Sequence, residues 1–214
     1  MTDGAASARD RSNTVIVVLT ICAGLVGSLY VFLHMNWHIY FIPAGSMEPT
    51  LRVGDNILAR NGPFEPEEIR PGEVILFAYD GTTYVRRVVG VSGDRIQVTG
   101  GALHINGEAV PAKAIGEFEL SGSGRLVGMA QLIEERLDGR TYETLDIIAD
   151  ASGDDTDLFV VPEAHVFVMG DNRDYSHDSR FEIGFVPVEQ IVGIARTIYW
   201  SPRRGDHVGP IPVR

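Results

Sequence analysis

The sequence contains very little cysteine and lysine, two side chains that carry much protein chemistry. Cys22 is the one cysteine among 214 residues, which excludes an intramolecular disulfide and a zinc site built from cysteines. Lys113 is the one lysine, so seventeen of the 18 basic residues are arginines. Against these 18 stand 29 Asp and Glu, for a formal net charge of -11. Nucleic-acid binding requires a basic surface, and this excess of acidic residues argues against one. We therefore expect no nucleic-acid partner.

Charge is also absent from one long run near the N-terminus. Residues 14–33 are twenty consecutive uncharged residues, a length that crosses a hydrocarbon core of about 30 Å as a helix. A cleavable signal peptide is the alternative, but its apolar core would span only about 7–15 residues before a small-residue cleavage site. The residues that follow resemble an interfacial aromatic belt: His34, Trp37, His38, Tyr40 and Phe41. The sequence therefore predicts an uncleaved transmembrane helix over 14–35 behind a disordered tail at 1–13.

The basic residues around this segment predict its orientation. Arg9 and Arg11 precede it, and the next basic residue is Arg52. By the positive-inside rule the N-terminus is cytoplasmic and the remainder is exported. The lipid bilayer is then a partner of the chain. Ser46 follows the predicted span by about a dozen residues, a reach that keeps it near the bilayer surface.

The remainder of the chain has the pattern of a β protein. Runs of strand-forming residues bounded by Gly, Pro, Asn and Asp recur at 56–59, 74–79, 84–89, 166–169 and 191–200. Asn106-Gly107 predicts a tight hairpin, whereas 130–137 is compatible with either a helix or a strand. We therefore expect a mostly β domain over 36–202, with a small insertion around 100–160 and a C-terminal tail at 203–214.

A serine between two prolines is the first candidate for chemistry. Pro43 and Pro49 bracket Gly45-Ser46-Met47. Pro49 lacks an N–H and has a fixed φ, which excludes a helix interior or a central strand, and Gly45 permits close backbone approach. The pattern predicts Ser46 on a stiff, extended connector, where it could act as a nucleophile. An isolated serine of this kind would more often be a simple turn residue.

Two later motifs favour the interpretation of Ser46 as a nucleophile over that of a turn residue. The run Ser-Met-Glu-Pro-Thr-Leu at 46–51 is followed by Tyr-Val-Arg-Arg-Val-Val-Gly-Val-Ser-Gly-Asp at 84–94 and by Met-Gly-Asp-Asn-Arg-Asp-Tyr-Ser-His-Asp-Ser-Arg at 169–180. In this order, behind an N-terminal anchor, the three motifs resemble those of type I signal peptidases, the membrane-bound serine proteases that remove leader peptides. The resemblance covers about 36–202 and is weaker across 100–160.

The resemblance implies a fold, a location and an activity. The fold would be a bent domain of antiparallel sheets, anchored in the bacterial cytoplasmic membrane and facing the periplasmic or extracellular side. The activity would be removal of N-terminal signal peptides from exported preproteins, with cleavage after small residues in an Ala-X-Ala pattern. The resemblance implies neither a cofactor nor a metal.

The resemblance also implies roles for individual residues. Ser46 would be the nucleophile, and Arg86 occupies the position of the family's lysine base, which Ser176 would support within hydrogen-bonding reach. The braces of the site would be Asp171, Asp178, Arg87 and Arg180. Ala44 and Gly45 would form the oxyanion hole, although some members carry a serine in place of Ala44. Shallow substrate pockets would be lined by Ile42, Pro43, Met47 and Val85.

Arg86 departs from the family pattern. Burial can lower a lysine pKa by up to about 3–5 units, which brings its amine near neutrality. Deprotonating a guanidinium at pH 7 would need a shift of about 6 units or more. Arg86 is therefore a poor base, and His177 and Lys113 are the next candidates. Two alternatives to an active peptidase remain: a relative that binds leader peptides or regulates an active copy, and an anchored β-domain with a structural role.

The acidic third motif also has a competing interpretation as a calcium loop. Asp171, Asp174 and Asp178 supply carboxylates, but an EF-hand requires Gly at position 6 and Glu at position 12. Counting from Asp174 places Ser179 and Phe185 there. The sequence instead predicts that these carboxylates pair with Arg87, Arg173 and Arg180, and that no metal is bound.

Overall fold

The computed structural model describes residues 16–30, 36–120, 128–202 and 207–211. The chain divides into two compact units, Met1–Trp37 and His38–Arg214. In the first unit, residues 16–30 form an α-helix. No helix formed by the described residues combines the length and the apolar character needed to cross a bilayer. The predicted tail at 1–13 and both ends of the predicted span, 14–15 and 31–35, lie outside the described residues.

The second unit consists of strands and short 3-10 turns. The strands are β1 Trp37–Phe41, β2 Asn56–Asn61, β3 Val74–Tyr79, β4 Thr82–Val91, β5 Arg95–Thr99, β6 Ala102–Ile105, β7 Glu108–Ala109, β8 Ala112–Glu119, β9 Met129–Leu137, β10 Arg140–Asp146, β11 Phe159–Val160, β12 His165–Met169, β13 Val186–Pro187, β14 Ile191–Trp200 and β15 Gly209–Pro210. The 3-10 turns are Gly45–Met47, Pro66–Glu68 and Val188–Gln190.

The strands form three sheets. The largest has the order β1-β2-β14-β3-β4-β12-β13, with β15 added to β14. A four-stranded sheet has the order β11-β5-β6-β7, and a three-stranded sheet from the insertion has the order β10-β9-β8. Every strand pair whose register is established is antiparallel. The prediction of a mostly β, antiparallel fold is therefore confirmed.

Several strands follow directly from local sequence patterns. The predicted runs 74–79 and 191–200 coincide with β3 and β14. Asn106 and Gly107 have φ of 56° and 86°, the left-handed conformation that a tight hairpin between β6 and β7 requires. The ambiguous stretch 130–137 belongs to strand β9, which pairs on both sides with β8 and β10.

The predicted C-terminal tail is in part a component of the sheet. Gly209 pairs with Ile198 of β14, and Ile211 is buried in the same apolar cluster as Ile57 and Ile198. Burying a side chain of this size contributes roughly 1.5–3 kcal/mol. Described residues at 207–211 therefore belong to the folded unit, which the sequence pattern did not indicate.

The core beneath the first motif holds that motif in place. Ile42, Met47 and Leu51 are all buried and belong to one cluster with Val74 and Leu76 of β3. These three side chains flank Ser46 on both sides in sequence, so apolar burial fixes the backbone before and after the serine. The position of Ser46 is consequently set by the packing of its neighbours.

Candidate active site

Ser46 is the middle residue of a single 3-10 turn. The turn runs over Gly45–Met47, and the amide of Glu48 donates to the carbonyl of Gly45 at 3.1 Å. The expectation of a stiff, extended connector is therefore wrong at Ser46 itself, although Ala44 and Glu48 on either side of the turn are extended. Pro49 lacks a donor only at its own position, so the three residues before Glu48 remain free to form a turn. Met47 points into the core, and Ser46 is half-buried at the surface.

The third motif clamps this turn through a residue that the sequence analysis did not assign to the site. Asn172 donates its backbone N–H to the carbonyl of Ser46 at 3.1 Å, and its side-chain amide donates to the carbonyl of Gly45 at 3.1 Å. Asn172 is buried. Its place beside Asp171 in the third motif was the available sequence clue, but nothing in that pattern indicates which backbone it holds.

Arg86 and Ser46 are in direct contact. From β4, the buried Arg86 donates through Nη1 to Ser46 Oγ at 2.9 Å and to the carbonyl of Val85 at 2.6 Å. Its Nε and Nη2 donate to the carbonyl of His177 at 2.9 and 2.7 Å. The guanidinium is therefore a hydrogen-bond donor to the serine oxygen, whereas a general base would have to be an acceptor.

The electrostatic surroundings of Arg86 keep it a cation. Burial lowers the pKa of the guanidinium, and the negative charges of Asp178 and Asp171 oppose that shift. The ordinary pKa of arginine is so high that this lowering does not give a neutral side chain at physiological pH. A permanent positive charge thus lies against Ser46 Oγ.

Ser176 does not form the bond that the sequence analysis predicted. Its Oγ is buried and has no hydrogen-bond partner among the described residues. The expectation that this hydroxyl bonds to the side chain at position 86 is wrong. The carbonyl of His177, and not Ser176, accepts from Nε and Nη2 of Arg86.

Ser46, Arg86 and Ser176 line one cleft. Its volume is about 440 Å³. The residues around it come from the three motifs and from positions just before the first and just after the third: Ala44, Ser46, Arg86, Asp174, Tyr175, Ser176, His177, Phe181 and Glu182. The His177 side chain is partly exposed, and its Nδ1 lies 3.3 Å from a carboxylate oxygen of Glu182.

The residues expected to form the oxyanion hole and the substrate pockets do not all line the cleft. Ala44 lines the cleft, whereas Gly45 is buried. Ile42 and Met47 belong to the apolar core, and Val85 packs against that core. Pro43 is exposed.

Two buried Asp–Arg pairs lie close enough to Arg86 for the charges of their aspartates to act on it. Arg87 donates through Nε and Nη2 to the two carboxylate oxygens of Asp171 at 2.7 and 2.6 Å, and both side chains are 1% exposed. Arg180 donates to Asp178 through Nε and Nη2, both at 3.0 Å. Burial raises the pKa of the Asp178 carboxyl, but the charge and hydrogen bonds of Arg180 outweigh it and leave the pKa below its ordinary value.

Arg173 has a different partner from the one expected. It pairs through Nη2 with Glu135 of β9 at 2.5 Å, and the hydroxyl of Tyr142 donates to the same carboxylate at 2.8 Å. The reason is that β10 lies beside the third motif. The amide of Leu145 donates to the carbonyl of Asp171 at 2.8 Å, and the amide of Arg173 donates to the carbonyl of Leu145 at 3.0 Å. The insertion is thus hydrogen-bonded to the motif that holds Ser46.

Gly170 offers a direct test of this packing. A Cβ at this position would lie 2.7 Å from the carbonyl oxygen of Ser46 and even closer to Ser176. We expect Gly170→Ala to lower the free energy of unfolding by about 1–3 kcal/mol, as overpacking usually does. It should also slow covalent labelling of Ser46 by a serine-directed inhibitor, because the Ser46 backbone must shift. Urea unfolding and labelling rates measure the two effects.

The matched control is Ser176→Gly, alone and combined with Gly170→Ala. The double variant removes the contact with the Ser176 side chain but leaves the contact with the Ser46 carbonyl. Partial recovery of stability, with labelling still slow, is therefore expected. Wild-type stability and labelling in Gly170→Ala itself would contradict the close packing.

Comparisons with known proteins place these observations in a family. The family model described as signal peptidase, peptidase S26, matches residues 12–200. A signal peptidase I of Pseudomonas fluorescens is 34% identical over 185 residues, which cover 75% of this chain and 63% of that protein. A signal peptidase I of Rickettsia canadensis (strain McKiel) is 29% identical over 196 residues, which cover 77% and 72%. This chain thus spans less than two thirds of the Pseudomonas relative.

A solved structure gives a further similarity. The signal peptidase I of Enterococcus faecalis V583 is 25% identical, with a TM-score of 0.34. The match covers 59% of this chain and 95% of that chain.

Proposed function

This chain belongs to the signal peptidase family, peptidase S26, and on that premise we propose that it is a serine endopeptidase that removes N-terminal signal peptides from exported preproteins. One observation carries the proposal. Ser46 Oγ lies at the wall of a cleft, on a turn clamped by Asn172, with the Arg86 guanidinium 2.9 Å away. A serine held in this way can approach a peptide carbonyl that enters the cleft.

The proposed reaction proceeds through an acyl-enzyme. Ser46 Oγ forms a bond to the scissile carbonyl carbon, the C–N bond breaks, and the new N-terminus of the mature protein leaves with a proton. Water then hydrolyses the ester and releases the signal peptide. Arg86 contributes its charge, which favours an oxyanion on Ser46 or on the attacked carbonyl. It does not accept the serine proton, which passes to water in the cleft.

The proposed substrate is an extended peptide with small residues at the cleavage site. It would lie beside a strand edge and hydrogen-bond to the backbone there. Ala44, Pro43 and Val85 are candidate contacts for small side chains, with Ile42 and Met47 closing the floor from the core side. Neither a cofactor nor a metal takes part in this proposal.

Cleavage of two leader peptides tests the specificity. We expect a leader with Ala at both the first and third positions before the cut to be cleaved. The same leader with Phe at the first position should show at least a 100-fold lower kcat/KM, because a shallow pocket excludes the ring. Ser46→Ala is the background control. Equal cleavage of the Ala and Phe leaders would contradict the pocket model.

A second candidate function rests on a specific observation. The hydrogen bond that Ser46 Oγ makes among the described residues is one that it accepts, from Arg86. A chain without a proton acceptor at its serine could bind leader peptides, or regulate an active copy, without cleaving. Labelling separates the two candidates. If a serine-directed inhibitor leaves Ser46 unmodified while a leader peptide binds, the second candidate is favoured.

We also propose that the protein is a single-pass protein of the bacterial cytoplasmic membrane. The span would be 14–35, with the N-terminus in the cytoplasm and the peptidase domain, 36–202 with its tail, on the outer side. The bilayer would then be a permanent partner. Protease added outside the cytoplasmic membrane should digest the domain, and digestion from the cytoplasmic side alone would reverse the orientation.

A further inference from the structure

The pair formed by Arg86 and Ser46 retains two unused hydrogen-bond donors. A guanidinium carries five N–H groups. In the described structure four hydrogen bonds leave Arg86: two to the carbonyl of His177, one to the carbonyl of Val85 and one to Ser46 Oγ. One N–H, on Nη2, therefore has no partner among the described residues. Ser46 Oγ accepts from Arg86 and donates no hydrogen bond to another described residue, so its hydroxyl proton is also available to a ligand.

Within the part of the chain that the structure describes, no carboxylate is paired directly with Arg86. The two nearby aspartates of the third motif are each paired with another arginine, Asp171 with Arg87 and Asp178 with Arg180. No carboxylate of a described residue forms an ion pair with Arg86, although its side chain is 5% exposed. A buried cation without a paired anion is unfavourable. The charges of Asp178 and Asp171 still act on Arg86 from a distance, but no carboxylate of a described residue contacts its guanidinium directly.

The other carboxylates that line the cleft are occupied elsewhere. Asp174 accepts the backbone N–H groups of Ile147 and Ile148 at 2.6 and 2.9 Å. Glu182 is largely exposed and lies against His177. These carboxylates repel a negatively charged ligand elsewhere in the cleft. An anion that binds here must therefore place its charged group in contact with Arg86.

We propose that this cleft binds the C-terminal carboxylate of a peptide that ends in a small residue. One carboxylate oxygen would accept the free Nη2–H of Arg86, and the other would accept the hydroxyl proton of Ser46. Hydrogen bonds between arginine and a carboxylate are about twice as strong as neutral ones. The inference deepens the proposed function and rests on it, because a signal peptide acquires such a carboxylate only when it has been cut. The site would distinguish the cleaved peptide from its uncut precursor.

The identity of residue 86 gives the proposal a pH signature. A guanidinium remains charged between pH 6 and 9, so residue 86 itself should add no pH dependence to the affinity for the carboxylate over that range. In Arg86→Lys, the cation is a group whose pKa burial lowers. The affinity of that variant should fall as the pH rises and the amine becomes neutral.

The test compares two peptides that differ in one group. A fluorescent peptide ending in Ala-X-Ala is prepared as the free acid and as the C-terminal amide, and binding to the full chain in detergent is measured by fluorescence anisotropy. We expect the acid to bind at least tenfold more tightly. Arg86→Gln should abolish the preference, whereas Arg60→Gln, a change at a partly exposed arginine paired with Glu68, should preserve it. The acid should also inhibit cleavage of a leader peptide more strongly than the amide.

The outcomes separate this inference from the proposed function. Equal binding of acid and amide, or no binding of either, overturns the inference. A preference for the acid that survives Arg86→Gln also overturns it, because the carboxylate would then be held elsewhere. Cleavage of an Ala-X-Ala leader without any preference for the acid refutes the inference alone. A preference for the acid without cleavage supports the inference and refutes the endopeptidase.

Discussion

Replacing Arg86 with lysine is expected to raise kcat for cleavage of an Ala-X-Ala leader by about 100-fold or more. General base catalysis contributes typically 10²–10⁴-fold. Arg86 is buried and donates to Ser46 Oγ at 2.9 Å. A lysine in this environment can lose its proton near neutral pH, and its neutral amine can then accept the proton of Ser46. Ser46→Ala should abolish cleavage in either background.

The pH profile distinguishes a restored base from a general improvement. With Arg86, weak activity should rise steadily with pH, because water or hydroxide has to remove the serine proton. In Arg86→Lys, activity should rise with pH and then level off above the pKa of the new amine. Arg60→Lys, a matched change at a partly exposed arginine, should leave the profile unaltered.

Two results would show that the base or the nucleophile is a different residue. If the natural chain cleaves rapidly and Arg86→Lys changes nothing, the base lies at another residue, and His177 or Lys113 would be tested next. His177 lines the same cleft as Ser46, whereas Lys113 belongs to β8 of the insertion. Normal cleavage by Ser46→Ala would exclude a serine mechanism altogether.

Replacing Asp171 with leucine is expected to lower the free energy of unfolding by about 3–5 kcal/mol. Removing one partner of a buried ion pair leaves the other charge without compensation. Arg87 would then be a buried cation with only the carbonyl of Gly72, at 2.7 Å, the hydroxyl of Thr50, at 3.2 Å, and the ring of Tyr142 for support. Urea unfolding of the full chain in detergent measures the loss.

A double replacement shows whether the loss comes from the orphaned charge. Arg87→Met combined with Asp171→Leu removes both charges, and apolar replacement of a buried pair is often neutral or stabilising. The double variant should therefore be more stable than Asp171→Leu alone. Glu68→Gln, which breaks the exposed pair with Arg60, should leave stability unchanged within error. A double variant as unstable as the single one would show that shape, and not charge, dominates at this site.

The sequence by itself determined the elements that obey local rules. β3 and β14 coincide with the predicted runs because strand-forming residues and the turn residues at their ends act within a few residues. The hairpin at Asn106-Gly107 follows from two adjacent residues that tolerate positive φ. The three motifs also indicated Ser46 and Arg86, which the structure brings into contact, and two of the three arginines expected to pair with the aspartates of the third motif, Arg87 and Arg180, do so.

Only the tertiary structure decided the conformation of the ambiguous segments and the partners of residues far apart in the sequence. The stretch 130–137 became a strand because β8 and β10 provide partners on both sides, and its own composition suits a helix equally well. Arg173 pairs with Glu135, 38 positions away, and not with a neighbouring aspartate. The residues at 207–211 joined the fold because β14 offered an edge to Gly209.

The same holds for the geometry of the cleft. Arg86 is held by the carbonyl of His177, 91 positions along the chain, and Asn172 holds the carbonyl of Gly45 across 127 positions. Backbone carbonyls are identical in every residue, so no sequence pattern distinguishes the one that will accept a given hydrogen bond. In the described structure the acceptor for Nε and Nη2 of Arg86 is the carbonyl of His177, whereas Ser176 Oγ has no hydrogen-bond partner. Side-chain chemistry can be inferred from the order of residues, but the assignment of backbone acceptors depends on how distant segments pack.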